Sequence, residues 1–589
     1  MLNIGTTLKD IFIPLPPKRL DLENHHHQGN NDQDQPLKPK EDFNLYELSS
    51  SNSSTTIVPS STQRKLKNRH VQLIGISGVI GTALFVAIGG GLNKGGPGFL
   101  LLAFTLWCIP ILAITVSTAE MVCYLPINSP FVRLGGRCID DAFEFMAGWN
   151  FWFLECVQIP FEIVAVNTII HYWRDDYSPA ISLAIQIFLY FMISIFAVKV
   201  YGETEFWLAI GKIILAIGLM VFTFIVMLGG NPKHERFGFR YWKTPGSFKE
   251  YLDVGSLGYF RAFLQCLIQA SFTIAGPDYL SMVAGETILP RSSTLPSAFK
   301  QIFYRLTFLF LGGCLCVGIL IPYNDPELIT ALKYSSPGAA SSPYVIAMNN
   351  LGIKVLPHIV NGALVVSAFS SGNAYTYCSS RTLYGLALDG KAPYIFTFCN
   401  KSGVPILAVL ISLAWGLLSF LQLNNNSAIV LNWIINIITA SQLFNFSCMS
   451  LTFIFFYKAV KRQGLDRDSF TFKSWFQPYT AIFGFICSFT MMWVNGYNVF
   501  TKGNWDYQSF LFNYLAIFVD IGLFIFWKLF KRTKFRNPES VDLFTGLDEI
   551  ELHEREYTQM LEETERLKGP DSSIKKFYSY SISLLVGKD

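Results

Sequence analysis

The amino-acid sequence predicts an all-α protein that crosses a membrane about twelve times, and three observations support this prediction. Of the 589 residues, 51% are hydrophobic and only 15% are charged, whereas soluble domains carry about 25% charged residues. The mean hydropathy of +0.35 is too high for a chain of this length with one buried core. Charged residues concentrate near both ends, while the middle of the chain alternates apolar runs with short polar links.

Twelve apolar segments qualify as membrane spans, because a helix needs about 20 apolar residues to cross a bilayer. These segments are 71–92, 98–124, 143–172, 179–199, 206–229, 259–285, 299–322, 355–388, 404–423, 428–458, 477–499 and 508–530. Residues 1–70 are rich in Asn, Gln, Ser and Lys, which predicts a disordered tail. The chain therefore divides into this tail, a membrane domain over 71–530 and a second tail over 531–589.

Basic residues indicate the orientation of the predicted spans. Lys and Arg concentrate in every second link, beginning with Arg64, Lys65, Lys67 and Arg69 before the first span. Cytosolic links carry such an excess, so both tails are predicted to be cytosolic. The link 230–252 breaks the pattern with five basic residues, and we give the other links more weight.

The first predicted span is rich in glycine. It contains Gly75, Gly78 and Gly81 together with Ser77 and Thr82. Each interior glycine costs a helix about 0.5–1 kcal/mol relative to alanine, so this helix is one that can break. Inside a membrane a break is tolerated only where the backbone lines a cavity or is buried in protein, and its N–H groups suit a carboxylate. The alternative is an unbroken helix whose small residues form a packing face.

The sixth predicted span contains Gly276-Pro277, followed by Asp278. Proline removes a backbone hydrogen bond, which predicts a second break. A carboxylate within an apolar run is costly and usually marks a site or a path. Interrupted helices at corresponding positions of two halves are the best sequence indication of the binding site of an inverted-repeat transporter. The protein is therefore predicted to carry a small amino-acid-like or cationic solute across a membrane.

Three charged residues inside other predicted spans are candidates for function. Glu155 and Glu162 are seven residues apart in the third span, which places both on one face of a helix. That face is predicted to line the interior, where the acids either serve function or are tied to buried partners. Lys212 lies inside the fifth span, where its ammonium group could stand in for a bound cation. The alternative for Lys212 is a side chain that snorkels to the membrane surface.

Catalytic and cofactor-binding motifs are missing from the sequence. There is no Walker loop, no HExxH or GxSxG motif and no Cys or His spacing typical of a metal site. The net charge of +4 is small and does not indicate nucleic-acid binding. The sequence therefore predicts neither an enzyme nor an ATP-driven pump, and no cofactor or metal.

Several motifs together resemble the fungal amino-acid permease group of the amino acid–polyamine–organocation superfamily. The resemblance covers nearly all of 64–530, and its finer details are closest to the carnitine and polyamine permeases of that group. The motifs are Ile80-Gly81-Thr82-Ala83-Leu84-Phe85, Gly148-Trp149-Asn150, Gly202-Glu203-Thr204-Glu205-Phe206-Trp207, Ala284-Gly285-Glu286 and Ser380-Arg381-Thr382-Leu383-Tyr384.

The resemblance implies a LeuT-type fold of two inverted five-helix repeats plus two further helices, and proton symport at the plasma membrane. It places Lys212 where related sodium-driven carriers hold an ion. It also implies a solute site with contributions from two helices. The backbone of the first helix would meet a substrate carboxylate, and the sixth helix would line the pocket; the residues are Ile80, Gly81, Thr82, Ala83, Phe272, Ala275 and Gly276.

Two departures from the group's pattern concern specificity. Ala83 stands where glycine is usual, and Asp278 stands where glutamate is usual. Both substitutions change the size of the pocket and the distance that a charged side chain extends into it. Glu155 and Glu162 add negative charge, which suits a cationic group. We therefore expect a proton-coupled permease that imports carnitine or a related cationic or amino-acid solute, such as a polyamine or a basic amino acid.

The alternative on the same fold is a nutrient sensor with little or no transport. Sensors of this group tend to have larger N-terminal domains than the 70 residues found here, which favours transport. The expected partners are the solute, protons, membrane lipid and trafficking or ubiquitin machinery at the tails.

Overall fold

The structure is a computed structural model of the chain, and it describes residues 71–72, 75, 80–174, 176–195, 198–288, 290–334, 342–400, 404–423 and 427–568. The predicted N-terminal tail, the stretch with Ser77 and Gly78, and residues 569–589 lie outside this description. Within the described residues the regular structure is helical, without β-strands. The all-α fold class is therefore confirmed.

A glycine divides the first long helical run into two helices. A π-helical turn, Ala83–Ala87, continues into Ile88–Tyr124, and Gly96 interrupts this run with a φ of 79°. A Cβ atom on Gly91 would lie 2.8 Å from the Leu100 side chain. Nine residues along a straight helix span about 13.5 Å, so this contact requires the chain to fold back at Gly96. We name the two parts α1 (83–95) and α2 (97–124).

The other helices follow in chain order. They are α3 (Pro130–Cys138), α4 (Asp141–Ile170), α5 (Pro179–Ile195), α6 (Val198–Met227), α7 (Ser256–Thr273), α8 (Pro277–Met282), α9 (Leu295–Leu320), α10 (Pro326–Tyr334), α11 (Pro343–Asn350), α12 (Leu356–Leu388), α13 (Ile406–Ala414), α14 (Ser427–Arg462), α15 (Tyr479–Val494), α16 (Tyr507–Lys531) and α17 (Leu547–Lys568). A 3₁₀ segment, Trp415–Leu423, extends α13.

Each of the twelve predicted spans overlaps one of these helices or, for the sixth span, the α7–α8 pair. Six helical stretches among the described residues are long and apolar enough to cross a membrane. They are Ala83–Tyr124, Asp141–Ile170, Glu205–Met227, Ile406–Leu423, Ile429–Arg462 and Tyr507–Lys531. Shorter apolar helices add Pro179–Ile195, Thr307–Leu320 and Tyr479–Val494. The first of the six stretches contains α1 and α2 and so accounts for two predicted spans.

Some boundaries and short helices differ from the predictions. Helix α6 begins at Val198, eight residues before the predicted start, because the polar stretch that precedes Phe206 is helical. Helices α3, α10 and α11 lie in links that the apolar pattern leaves without a span. Each has at most nine residues, which is too short for hydropathy to detect.

Helices α4 and α12, the third and eighth spans, pack against each other more extensively than any other pair of described helices. The run Ile88–Tyr124, which contains most of α1 and all of α2, packs against α7 and α9, and α14 packs against α4, α15 and α16. Helix α4 is buried along almost its whole length. In contrast, Trp207, Ile214 and Phe224 of α6 are more than 60% exposed, as expected for a lipid-facing surface. The centre of the bundle therefore lies around α4 and α12.

The segment after α16 folds back over one end of the bundle. Val541, Leu543 and Ile550 are buried there. The Arg291 guanidinium lies 2.5 Å from Glu551 of α17, and the Arg291 backbone N–H donates to Glu554 at 2.6 Å. The acidic helix α17 is thus docked beside the start of α9. We call this end of the bundle the α17 face.

We predict that the Arg291–Glu551 ion pair holds α17 in place. Arg291→Glu or Glu551→Arg should raise amide hydrogen exchange in α17 about fivefold, which corresponds to about 1 kcal/mol for a partly exposed pair. The double charge swap should restore most of the protection, because it re-forms the pair in reverse. Hydrogen–deuterium exchange of peptides from α17 measures this effect.

The matched control is Glu556→Arg, since Glu556 lies on the exposed side of the same helix. Equal exchange in all four variants and the wild type would contradict the role of the ion pair.

Candidate solute-binding and coupling site

The chain bends at Ile80 and Gly81, immediately before α1 begins. The backbone N–H of Thr82 donates to Oε1 of Glu162 at 3.4 Å, and the Thr82 hydroxyl donates to Oε2 of the same carboxylate. The first N–H groups of a helix have no partner within the helix and carry partial positive charge. A carboxylate from α4 therefore caps the start of α1, at the position where the sequence predicts a substrate carboxylate.

Gly81 permits this close approach. A Cβ atom at this position would lie 2.6 Å from Oε1 of Glu162 and 2.7 Å from Oγ of Ser371. Ala83, the departure from the group's glycine, is partly buried and packs against the hydrophobic core. The space that glycine leaves at position 81 is thus used by polar groups from α4 and α12.

Lys212 is buried, with 2% of its surface exposed, so the snorkelling alternative is wrong. Its Nζ donates to Oγ of Ser371 at 2.8 Å, and that hydroxyl lies 3.3 Å from the backbone carbonyl of Ile80. Lys212 also interacts electrostatically with Glu162 and Glu205. One serine of α12 therefore links the ammonium group to the bend that precedes α1.

Glu205 belongs to the same cluster, although its place in the motif Gly202-Glu203-Thr204-Glu205-Phe206-Trp207 predicted no role for it. It is fully buried and accepts a hydrogen bond from Oγ of Ser370 at 2.8 Å. The signal was present in the sequence, since Glu205 precedes Lys212 by seven residues and so shares its helical face. The two serines that contact this pair could not be identified from the sequence, because they lie about 160 residues away.

The predicted break in the sixth span is present. Helix α7 ends at Thr273, Ile274 is extended, Gly276 has a φ of 151° and α8 begins at Pro277. Proline suits the first position of a helix because its missing N–H has no partner there. Only glycine adopts such a φ without strain, so the Gly-Pro step both ends α7 and starts α8.

Asp278 stabilises this break. One carboxylate oxygen accepts from the backbone N–H groups of Gly276 at 3.3 Å and Tyr279 at 3.1 Å. The other accepts from Gln442 at 2.8 Å and Asn445 at 3.3 Å, both on α14. The carboxylate therefore joins the start of α8 to the tenth span.

Glu155 is fully buried, and neither carboxylate oxygen has a hydrogen-bond partner of normal geometry among the described residues. Asp278 is its electrostatic neighbour, and the Tyr279 hydroxyl lies near enough to form a weak hydrogen bond with it. It lies about 10.5 Å from Glu162 along the α4 axis, at 1.5 Å per residue. Tyr375 of α12 interacts electrostatically with both glutamates.

The predicted lining residues of the sixth span divide between two places. Phe272 packs edge-on against Phe161, the neighbour of Glu162, with ring centroids 5.6 Å apart. Ala275 and Gly276 border a separate cavity of about 10 Å³ beside α2. A cavity of that size holds about one water molecule. The structure thus brings Phe272 towards the Glu162 cluster, whereas Ala275 and Gly276 face α2.

Among the described residues, the predicted site residues form two neighbouring groups. Ile80, Gly81, Thr82, Glu162 and Lys212 meet at the start of α1, whereas Glu155 and Asp278 meet near the start of α8. Carboxyl groups outnumber the single ammonium group here. Burying unpaired charge in a membrane is costly, so this region is suited to bind protons or a cationic solute.

We predict that Gly81→Ala destabilises the fold by about 1–3 kcal/mol, because the new methyl group must displace Glu162 or Ser371. The thermal midpoint of the purified protein in detergent measures this loss. Gly218→Ala is the matched control, since a Cβ there meets no atom within 4 Å. Equal midpoints for the two variants would contradict the tight packing at Gly81.

Comparison with known proteins agrees with this architecture. The sequence profile described as amino acid permease matches residues 70–538. The general amino acid permease AGP2 of Saccharomyces cerevisiae is 61% identical over 529 residues, which cover 88% of this chain and 86% of that protein. The proline-specific permease of the same yeast is 36% identical over 85% of this chain and 81% of its own length. The lysine/arginine permease CAN1 of Candida albicans is 35% identical over 80% of each chain. The chain therefore belongs to the amino acid permease family.

Proposed function

We propose that this permease imports carnitine or a related cationic or amino-acid solute, such as a polyamine or a basic amino acid, together with protons. Family membership makes the chain a membrane transport protein and not an enzyme. We further propose that it lies in the plasma membrane with the α17 face and both tails in the cytosol, as the distribution of basic residues indicates.

The proposal that the solute carries a positive charge rests on the buried carboxylate of Glu155. Relatives of similar identity are named for proline and for lysine and arginine, so the family alone leaves the substrate charge open. Apart from the nearby Tyr279 hydroxyl, no hydrogen-bond donor among the described residues compensates the Glu155 carboxylate, and a poorly compensated buried carboxylate costs several kcal/mol if it is ionised. A cationic group of the solute would remove that cost, and the rings of Tyr279 and Tyr375 offer it aromatic faces.

Glu162 determines how a substrate carboxylate would enter. Its carboxylate accepts the hydrogen bond of the Thr82 N–H, so a solute carboxylate must displace it from the start of α1. Carnitine and basic amino acids carry both a carboxylate and a cationic group, and they would use both parts of the site. Polyamines have no carboxylate and would leave the contact between Thr82 and Glu162 intact.

Lys212 supports the proposed coupling to protons. Its ammonium group contacts Ser371, which in turn lies beside the carbonyl of Ile80. Loss of a proton from Lys212 would weaken this link and free the bend that precedes α1. Proton binding and solute binding would then act on the same turn of backbone.

We predict faster uptake of radiolabelled carnitine at acidic than at neutral external pH, in cells that lack their own carrier. Spermidine and arginine serve as competitors and identify the solute class. Lys212→Met should abolish uptake while surface expression persists, because methionine keeps the length but loses the charge. Normal uptake by this variant would reject the coupling role, and no uptake of any of the three solutes by the wild type would favour the sensor alternative.

We also predict that Glu155→Gln lowers the preference for cationic over zwitterionic solutes about tenfold, the equivalent of about 1.4 kcal/mol. Competition between arginine and proline for uptake measures this ratio. Asp278→Asn is the comparison variant, because Asp278 is already held by four hydrogen bonds and should affect protein stability more than preference. An unchanged ratio in Glu155→Gln would show that Glu155 does not determine the preference for cationic solutes.

A further inference from the structure

Glu205 lies between Lys212 and the α17 face. Helix α9 runs away from the α17 face. It starts four residues after Arg291, which contacts α17, and it ends just before the link that contains α10 and α11. The link after α6 reaches the α11 end, because Nζ of Lys233 donates to the carbonyl of Asn350 at 2.8 Å. Helix α6 therefore begins towards the α17 face, and Glu205 precedes Lys212 on the way inward.

The spacing places both groups on one side of α6. Seven residues correspond to two helical turns and to about 10.5 Å along the axis. Adjacent residues of α12 contact the two side chains. Ser371 accepts from Lys212 at 2.8 Å, and Ser370 donates to Glu205 at 2.8 Å. The same turn of α12 thus contacts both the ammonium group and the carboxylate, which also interact electrostatically.

The titratable groups that face Glu205 come from three helices. Lys212 lies on α6 itself, Tyr190 on α5 and Cys378 on α12, and each interacts electrostatically with Glu205. Glu162 of α4 interacts with Lys212 as well. Lys212 is therefore placed between two carboxylates that belong to different helices, with Glu205 on the side towards the α17 face.

We infer that Glu205 is the group through which the coupled proton leaves Lys212 towards the α17 face. In this step the N–H bond of the Lys212 ammonium breaks and an O–H bond forms on the Glu205 carboxylate, which leaves a neutral amine and a neutral acid. Glu205 then gives the proton to water at the α17 face and becomes a carboxylate again. The inference rests on the proposed proton coupling, and it assigns the release step to a residue other than Lys212.

The geometry explains why a second acid is needed. Charge separation inside a membrane is costly, so a lysine that loses its proton needs an acceptor close by. Glu162 is engaged with the start of α1, where the solute is proposed to bind. Glu205 contacts α12 instead, so it can exchange a proton without disturbing Thr82. The carboxylate at the proposed solute site, Glu162, and the carboxylate that releases the proton, Glu205, would then be different residues.

The test is to compare net uptake with exchange in Glu205→Gln, using the full chain in cells and radiolabelled carnitine. Net uptake requires proton release in each cycle, so it should fall by about 100-fold, the scale of a lost proton-transfer group. Exchange of external label for unlabelled solute inside the cell needs no proton release, so it should stay close to the wild-type rate. Loss of both activities, or retention of both, would overturn the inference.

Glu205→Asp and Ser370→Ala keep the test informative if Glu205→Gln folds poorly. The aspartate retains an acid and should restore net uptake. Ser370→Ala removes the hydrogen bond to Glu205, so it should slow net uptake more than exchange. Equal effects of Ser370→Ala on both activities would indicate a structural role and count against the inference.

The wild type separates this inference from the proposed function. Uptake that is independent of external pH, with no accompanying proton entry, would show that the proton coupling itself is wrong, and the inference would fail with it. Coupled uptake in the wild type together with full net uptake in Glu205→Gln would leave the proposed function standing and reject the inference alone.

Discussion

Backbone groups inside a membrane must find hydrogen-bond partners within the protein, and this constraint shapes both interrupted helices. Each interruption leaves N–H groups at the start of a half-helix. The Glu162 carboxylate binds the first of these at α1, and the Asp278 carboxylate binds those at α8. The two breaks are therefore stabilised by the same chemistry, although one acid comes from another helix and the other from the same turn.

These caps connect structure to transport. A carboxylate that caps a helix by a single weak N–H contact can be exchanged for another anion at small cost, whereas one held by four donors cannot. Glu162 accepts one long backbone contact and the hydroxyl of the same Thr82, whereas Asp278 is held by four donors. In the proposed mechanism the start of α1 opens and closes around the solute, while the start of α8 stays fixed to α14.

The sequence was sufficient to predict the features that depend on local composition. Hydropathy located the spans, and Gly276-Pro277 located a break, because both effects act within a few residues. Contacts between distant parts of the chain were not predictable. Spacing alone placed Glu155 and Glu162 on one face, yet only the folded chain shows that Glu162 meets Thr82 while Glu155 does not. The docking of α17 on Arg291 depends on such distant contacts too.

The turn between α1 and α2 has a mechanical consequence. Gly96 alone separates the two helices, and its neighbours are pinned to the link before α7: the N–H of Gly98 donates to the carbonyl of Ser247 at 2.8 Å, and the N–H of Lys249 donates to the carbonyl of Gly95 at 3.0 Å. These two hydrogen bonds restrict the relative movement of α1 and α2 at Gly96. We therefore expect a tilt of α1 at the proposed solute site to move α2 and the link that precedes α7 together with it.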